Sequence, residues 1–141
     1  MKCFCFRIWQ WFWGFPQTLI GAFFWLLHRK RPHFTFNGCA VTVWKVSGSL
    51  GMGMFLFLNE EHYARDPQVL IHEFGHAVQS AFLGPLFLPV MGIPSFLWCN
   101  LPICRRLRRE RGISYYSFYP ESTANRLGAW AAAQSATSDK N

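Results

Sequence analysis

The sequence has few charged side chains. Asp, Glu, Lys and Arg make up only 15% of its 141 residues, whereas they account for about 25% of an ordinary soluble domain. Hydrophobic residues reach 51% and aromatic residues 18%. A chain of this length has room for one hydrophobic core, so the surplus of Phe and Trp also indicates contact with a membrane.

Acidic residues are especially scarce, which leaves a formal net charge of +7. The arginines stand beside apolar runs and do not interleave with polar stretches as they do in RNA-binding domains. This arrangement favours the anionic face of a bilayer. We therefore expect membrane lipids as partners, and no nucleic acid.

The chain also lacks the CxxC spacing of a structural zinc site. Its cysteines are five in number, an odd count that favours reduced thiols over a disulfide framework. Lipidation close to the N-terminus stays open. The five are Cys3, Cys5, Cys39, Cys99 and Cys104.

No cleavage site of small residues follows the first apolar run, residues 8–27, as it would after a signal peptide. The run is about long enough to cross a bilayer, although Pro16 would kink a helix there. We predict that residues 1–33 form a retained, Trp-rich membrane anchor, spanning or in-plane. Polar residues recur in it at steps of three and four, so they form one helical stripe that should face the rest of the protein. The stripe comprises Arg7, Gln10, Gly14, Gln17, Thr18, Gly21 and His28.

Strands and a helix are predicted in the middle of the chain. Residues 41–46 and 50–58 are rich in β-branched and aromatic side chains and flank a Ser-Gly-Ser turn, which is typical of a β-hairpin. Asp66 as N-cap and Pro67 as the first helical residue begin a helix that Gly84 and Pro85 end.

The second half of the chain predicts shorter elements. Residues 77–103 have no charged side chain and contain four prolines, so they form either a buried loop with a short helix from Ser95 or a segment in the membrane interface. Five arginines between Arg105 and Arg111 follow, and such clusters prefer the cytoplasmic side. The last helix should begin near Pro120, and residues 135–141 should be a disordered tail. These elements predict an α+β fold.

The chemistry of the chain lies in His72-Glu73-Phe74-Gly75-His76, an HExxH motif in a predicted helix. Histidines four residues apart share one helix face and can bind one Zn²⁺ together. Glu73 is rotated about 100° from His72, beside the open position of the metal. It can act there as a general base on zinc-bound water.

A catalytic zinc ion needs a third protein ligand. Downstream of Glu73 the acidic residues are Glu110, Glu121 and Asp139. Glu110 lies among arginines and Asp139 in the predicted tail, which leaves Glu121. Asn125, one turn after Glu121, could hydrogen-bond a zinc-bound histidine and orient it.

Other ligands and the remaining catalytic groups stay open at this point. His62 and Asp66 precede the helix, and the thiolates of Cys99 and Cys104 could compete for zinc. Three tyrosines near Glu121 are candidates to stabilise the charge that develops on a substrate carbonyl: Tyr115, Tyr116 and Tyr119. An exposed strand could pair with an extended peptide, which favours a peptide or protein substrate.

Residues 70–128 resemble a group of small bacterial zincin-like metallopeptidases, which also occur as toxin-like domains of large bacterial repeat proteins. The resemblance is carried by His72–Ser80, Gly84-Pro85-Leu86, Gly92-Ile93-Pro94-Ser95, Phe118-Tyr119-Pro120-Glu121 and Ala124-Asn125. It implies a gluzincin-like zinc site with Glu121 as third ligand, in a minimal zincin domain spanning residues 34–134. With the basic clusters, it implies the cytoplasmic face of a bacterial cell membrane.

Two alternatives belong to other functional classes. The chain could be an inactive membrane adaptor with a structural or relic metal site, or a toxin-type effector hydrolase whose target is not a peptide bond. The adaptor predicts that Glu73 has no role, whereas a peptidase requires it.

Overall fold

A computed structural model describes residues 3–138 of the chain, and the side chains of residues 4–136. Asp139, in the predicted tail, lies outside this part. Seven α-helices and a four-stranded sheet are described, which confirms the predicted α+β fold. The core lies between the sheet and the helix that carries the HExxH motif.

The Trp-rich segment forms two helices, α1 (Cys3–Phe12) and α2 (Phe15–Leu27). A turn at Trp13 and Gly14 separates the two helices. Pro16 lies in the first turn of α2, where its missing N–H costs nothing. Among residues 3–138, no helix combines the length and the apolar character that crossing a membrane requires.

The polar stripe of these two helices faces inward, as predicted. Gln10, Gln17 and Thr18 are fully buried. Gln10 Nε2 donates to the carbonyl of Ala77 at 2.7 Å. Gln17 Nε2 donates to Ser80 Oγ at 2.8 Å. The stripe therefore fastens both N-terminal helices to the HExxH helix and leaves their apolar faces outside.

The sheet contains β1 (His33–Phe36), β2 (Cys39–Trp44), β3 (Leu50–Met52) and β4 (Phe55–Asn59) in the order β1-β2-β4-β3. The predicted hairpin of residues 41–46 with 50–58 is wrong. Gly53, with φ +60°, turns the chain and splits the second segment into β3 and β4, which pair antiparallel. β2 instead pairs with β4 in parallel. The physical reason is burial, because the continuous apolar run of β4 is covered on both faces, as suits a central parallel strand.

The HExxH helix, α4 (Gln68–Leu83), follows a short helix, α3 (Glu60–Arg65), which the sequence did not predict. α4 agrees with its predicted bounds within one residue. The N-cap of α4 is Pro67, one residue after the predicted Asp66. Asp66 Oδ1 still accepts a hydrogen bond from the N–H of Gln68 at 3.0 Å and so caps the first N–H group of the helix. Gly84, with φ +55°, ends the helix.

Residues 84–111, from the end of α4 to the arginine cluster, are built from four short elements, each with a proline in its first turn. They are a 3₁₀ turn (Gly84–Leu86), a π-helical turn (Leu88–Gly92), α5 (Ile93–Asn100) and α6 (Pro102–Arg111). α5 begins two residues before the predicted Ser95. A further 3₁₀ turn (Tyr115–Ser117) leads to the last helix.

That last helix, α7 (Tyr119–Ser138), begins one residue before the predicted Pro120 and continues four residues into the predicted tail. It packs directly on α4 through two glycines. A Cβ atom on Gly75 would collide with the carbonyl oxygen of Ala124, and one on Gly128 would collide with that of Ile71. The close approach brings the start of α7 to the motif on α4.

Candidate metal centre

α4 and α7 bring three buried side chains together: His72, His76 and Glu121. Nε2 of His72 lies 3.1 Å from Oε2 of Glu121, and Nε2 of His76 lies 3.8 Å from the same oxygen. One nitrogen or oxygen atom from each of the three lies within 4.8 Å of the others. The group could therefore bind a metal ion.

Both imidazoles are oriented by amide side chains. Nδ1 of His72 lies 2.8 Å from Oδ1 of Asn125, and Nδ1 of His76 lies 2.8 Å from Oε1 of Gln79. An amide oxygen only accepts hydrogen bonds, so each Nδ1 carries the hydrogen in a neutral ring. Each Nε2 then keeps a lone pair that can bind a metal.

Asn125 thus contacts His72, as the sequence suggested, whereas Gln79 was missed. Gln79 is itself fixed, because its Nε2 donates to the carbonyl of Pro120 at 2.8 Å and to Thr123 Oγ1 at 2.7 Å. Its position three residues after His76, on the same helix face, was a usable signal. Gln79 links the motif helix to the start of α7.

The surroundings of the Glu121 carboxylate favour a bound cation. Glu121 is fully buried, and within the described part of the chain neither of its oxygens accepts a hydrogen bond of normal geometry. A buried carboxylate without donors is costly, and a lone pair of Nε2 facing it adds repulsion. A metal ion, or a proton on an imidazole, removes both costs.

The pKa values of the metal-free site reflect this arrangement. Burial by itself lowers the pKa of His72, but contact with Glu121 and the charge of Glu73 outweigh it and raise the pKa to about 9. Burial raises the pKa of Glu121, but contact with His72 and His76 outweighs it and holds the pKa well below its ordinary value. Without a metal, the site therefore holds a proton between His72 and Glu121.

Glu73 is not a member of the group of three possible ligands, but it lines a cavity together with His72 and His76. Burial raises the pKa of its carboxyl group, and the nearby charges of His76 and His72 oppose that shift. A Cβ atom on Gly51 would lie 2.7 Å from the carbonyl oxygen of Glu73 and 2.9 Å from Cβ of His76. Glycine in β3 therefore lets the sheet edge lie directly against the motif.

The cavity has a volume of about 230 Å³. Apart from the motif residues, no charged side chain of the described part lines it, and most of its walls are apolar. The apolar walls come from β3 and from the segment after α4: Leu50, Met52, Phe87, Leu88, Ile93 and Phe96.

Of the three candidate tyrosines, only Tyr115 lines this cavity. Burial and the charge of Glu121 raise its pKa, so its phenol stays protonated and can donate. The ring of Tyr116 packs against that of His72, 5.3 Å between centroids. The hydroxyl of Tyr119 donates to the carbonyl of Val90 at 2.5 Å.

The other possible ligands lie outside the group of three. Asp66 caps α4, and His62 is exposed on α3. Cys99 lines the cavity but is not a member of the group, and Cys104 is half-buried on α6. Glu110 pairs with Arg106 at 2.6 Å, as its place among arginines suggested.

Compared with protein-family models, with curated proteins and with solved structures, the chain matches none.

Proposed function

We propose that the protein is a zinc-dependent metallopeptidase, a minimal zincin of the gluzincin type, that acts at a membrane surface. The observation that carries this proposal is the meeting of His72, His76 and Glu121 beside a cavity edged by Glu73. The resemblance of residues 70–128 to small bacterial zincin-like metallopeptidases agrees with it.

Zinc is favoured by the chemistry of the donors. Calcium and magnesium prefer sites made of oxygen alone, whereas two imidazoles and one carboxylate form the ligand set of known catalytic zinc sites. Three protein ligands leave a fourth position open. The hydrogen bonds that the two Nδ1–H groups donate to Asn125 and Gln79 hold both rings in the orientation that binding needs.

When bound, zinc would lower the pKa of a water molecule and polarise the carbonyl of a substrate. Glu73 would take a proton from water in the cavity and pass it to the leaving amine. Its raised pKa suits that task, because a group that must both accept and release a proton works best with a pKa near the working pH. The phenol of Tyr115 is the candidate donor to the developing oxyanion.

A peptide substrate is favoured by the position of β3. This strand lies at the edge of the sheet, and Gly51 in it contacts the motif helix. An extended peptide could add to the free edge through backbone hydrogen bonds and so pass beside Glu73. A hydrolase for small molecules would have no use for such an edge.

Membrane attachment is supported by the outer faces of α1 and α2. Phe12 is 83% exposed and Phe23 59% exposed, although both are large and apolar. Residues 1–59 contain no Asp or Glu, and Arg29-Lys30-Arg31 follows α2 directly. An apolar face next to cations suits the surface of an anionic bilayer, and we place the protein at the cytoplasmic face of a bacterial membrane.

The proposal is tested by metal analysis together with cleavage of a peptide library. Wild-type protein should bind one Zn²⁺, which His72→Ala and His76→Ala should lose. Glu73→Gln should keep the zinc and the fold but lose hydrolysis, because it removes the base and no ligand. An adaptor would bind its partners unchanged after Glu73→Gln, and wild-type protein free of metal would rule out the hydrolase.

A further inference from the structure

The rim of the cavity continues into an exposed apolar surface. Six side chains of α5, α6 and the residue between them form it, and we name them the rim patch: Ile93, Phe96, Leu97, Leu101, Ile103 and Leu107. Ile93 and Phe96 belong to both surfaces, because they line the cavity and are also exposed. The rim patch therefore borders the cavity at these two residues.

Arginines border the rim patch on α6. Two of them are used within the fold, since Arg105 Nε donates to the carbonyl of Cys99 at 2.8 Å and Arg108 donates to that of Trp98. Both bonds satisfy carbonyl groups at the end of α5, where positive charge is favourable. Arg106 pairs with Glu110.

Arg109 and Arg111 remain free, with no ion pair or hydrogen bond to any side chain within residues 3–138. Ile103 and Leu107 are four residues apart on the same helix, so they form one exposed apolar stripe. Arg111, four residues after Leu107, continues along this stripe, whereas Arg109 lies on the opposite side of the helix. α6 thus combines an outward apolar stripe with an unpaired cation at its end. Basic amphipathic helices of this kind lie in the interface of anionic membranes.

We propose that α5 and α6 rest on an anionic phospholipid surface through the rim patch and Arg111, so that the cavity opens toward the bilayer. The site would then act on polypeptide segments held at the membrane surface. The substrate clause rests on the proposed peptidase function, whereas the lipid contact does not. A protein partner would explain the apolar stripe as well, but acidic lipid headgroups also account for the unpaired Arg111 at its end.

The lipid contact is tested with vesicles of phosphatidylcholine alone and of phosphatidylcholine with phosphatidylglycerol. Ile103 is 73% exposed and does not line the cavity. Ile103→Asp should weaken binding to anionic vesicles about tenfold, because it removes an aliphatic side chain that the lipid would bury and adds a charge that the anionic headgroups repel. Arg111→Glu should weaken binding several-fold to anionic vesicles and little to neutral ones.

Val46→Asp is the matched control, since Val46 is an exposed aliphatic residue in the loop between β2 and β3. It should bind vesicles like wild type. Hydrogen exchange should show residues 93–111 protected on anionic vesicles. The inference is overturned if the protein binds vesicles while these residues stay unprotected and Ile103→Asp binds as tightly as Val46→Asp. The N-terminal helices would then be the sole lipid contact. Absence of all vesicle binding overturns both, and a protein partner would then have to cover the patch.

The substrate clause is tested by one peptide sequence offered free in solution and attached to anionic vesicles by an acyl chain. Wild type should cleave the attached peptide at least several-fold faster. Ile103→Asp should lose that advantage and cleave the free peptide at the wild-type rate. Equal rates for the two peptides in wild type overturn the clause. If zinc-loaded protein cleaves neither peptide while residues 93–111 are protected, the peptidase function fails and the lipid contact stands.

Discussion

Glu121 is the residue on which the proposed metal site depends, because it lies on α7, 45 residues after His76, and meets both histidines of α4. The residue is fully buried, and within the described chain neither carboxylate oxygen accepts a hydrogen bond of normal geometry. Glu110, by contrast, is exposed and paired with Arg106.

Replacing each of these two carboxylates in turn distinguishes a metal ligand from a surface charge. Glu121→Ala should lower zinc affinity by at least about a hundredfold and abolish hydrolysis, since one of three ligands is lost. Glu110→Ala should change zinc affinity by less than about twofold, because an exposed ion pair contributes little. Competition with a zinc chelator measures both. Equal affinities in the two variants would place the third ligand elsewhere.

His72 links metal binding to pH. Its pKa of about 9 in the metal-free protein means that the ring is protonated at pH 7. Zinc must displace that proton, so binding should release about one proton at pH 7, and apparent affinity should rise with pH until His72 is deprotonated. Calorimetry in buffers of different ionisation enthalpy measures the release. No release at pH 7 would show that His72 is neutral before the metal binds.

At the residue scale, spacing revealed most of the site. His72, Glu73 and His76 form a local motif, so the helical repeat alone predicts that the two histidines share one helix face and that Glu73 lies beside it. Glu121 could be selected because few carboxylates compete with it. Elimination does not select Gln79, because amides are common, although its spacing of three residues from His76 was a usable signal. It also does not separate Tyr115 from Tyr116 and Tyr119, because the cavity that Tyr115 lines forms only in the fold.

At the scale of elements, the packing of α4 on α7 controls the geometry of the site. Gly75 lies between His72 and His76 in the motif, and it contacts the backbone of Ala124 next to Asn125. Any side chain there must push the helices apart. The histidines and Glu121 would then separate, although no ligand has been changed.

Gly75→Ala should therefore destabilise the fold by about 1–3 kcal/mol, the usual cost of overpacking, and weaken zinc binding. Gly92→Ala is the control, because the nearest atom to an added Cβ lies 3.4 Å away on a leucine side chain and the backbone there is helical. Its stability should stay close to wild type. Urea unfolding of the metal-free proteins measures both. A Gly75→Ala protein as stable as Gly92→Ala would show that the helix contact is tolerant.

The elements were predicted from sequence to different degrees. Helices bounded by strong signals, such as α4 between Asp66 and Gly84, were found within a residue or two. The pairing of strands was not, because propensity marks a strand without naming its partner. The parallel contact of β2 with β4 depends on burial of both faces, which only the packed helices create.

At the scale of the whole molecule, the N-terminal helices have polar side chains inside and apolar side chains outside, the reverse of a water-soluble surface helix. Their glutamines are buried against α4, while Phe12, Phe23 and their neighbours face outward. The stripe of spaced polar residues made this inversion predictable, since polar side chains in an apolar helix need partners inside the protein. A water-facing surface gains nothing from such an arrangement, whereas a bilayer interface does.

The proposed membrane anchor can be distinguished from simple attraction between charges. Wild-type protein should pellet with membranes and stay bound through a high-salt wash, since salt screens charges but does not weaken apolar burial. Phe23→Asp should be released by the same wash, because Phe23 is 59% exposed on α2 and would lose its contact with lipid. Trp130→Asp is the control, an aromatic residue 55% exposed on α7, and it should stay bound. Wild-type protein released by salt alone would reduce the anchor to an electrostatic contact, and equal release of both variants would show that α1 and α2 are not its site.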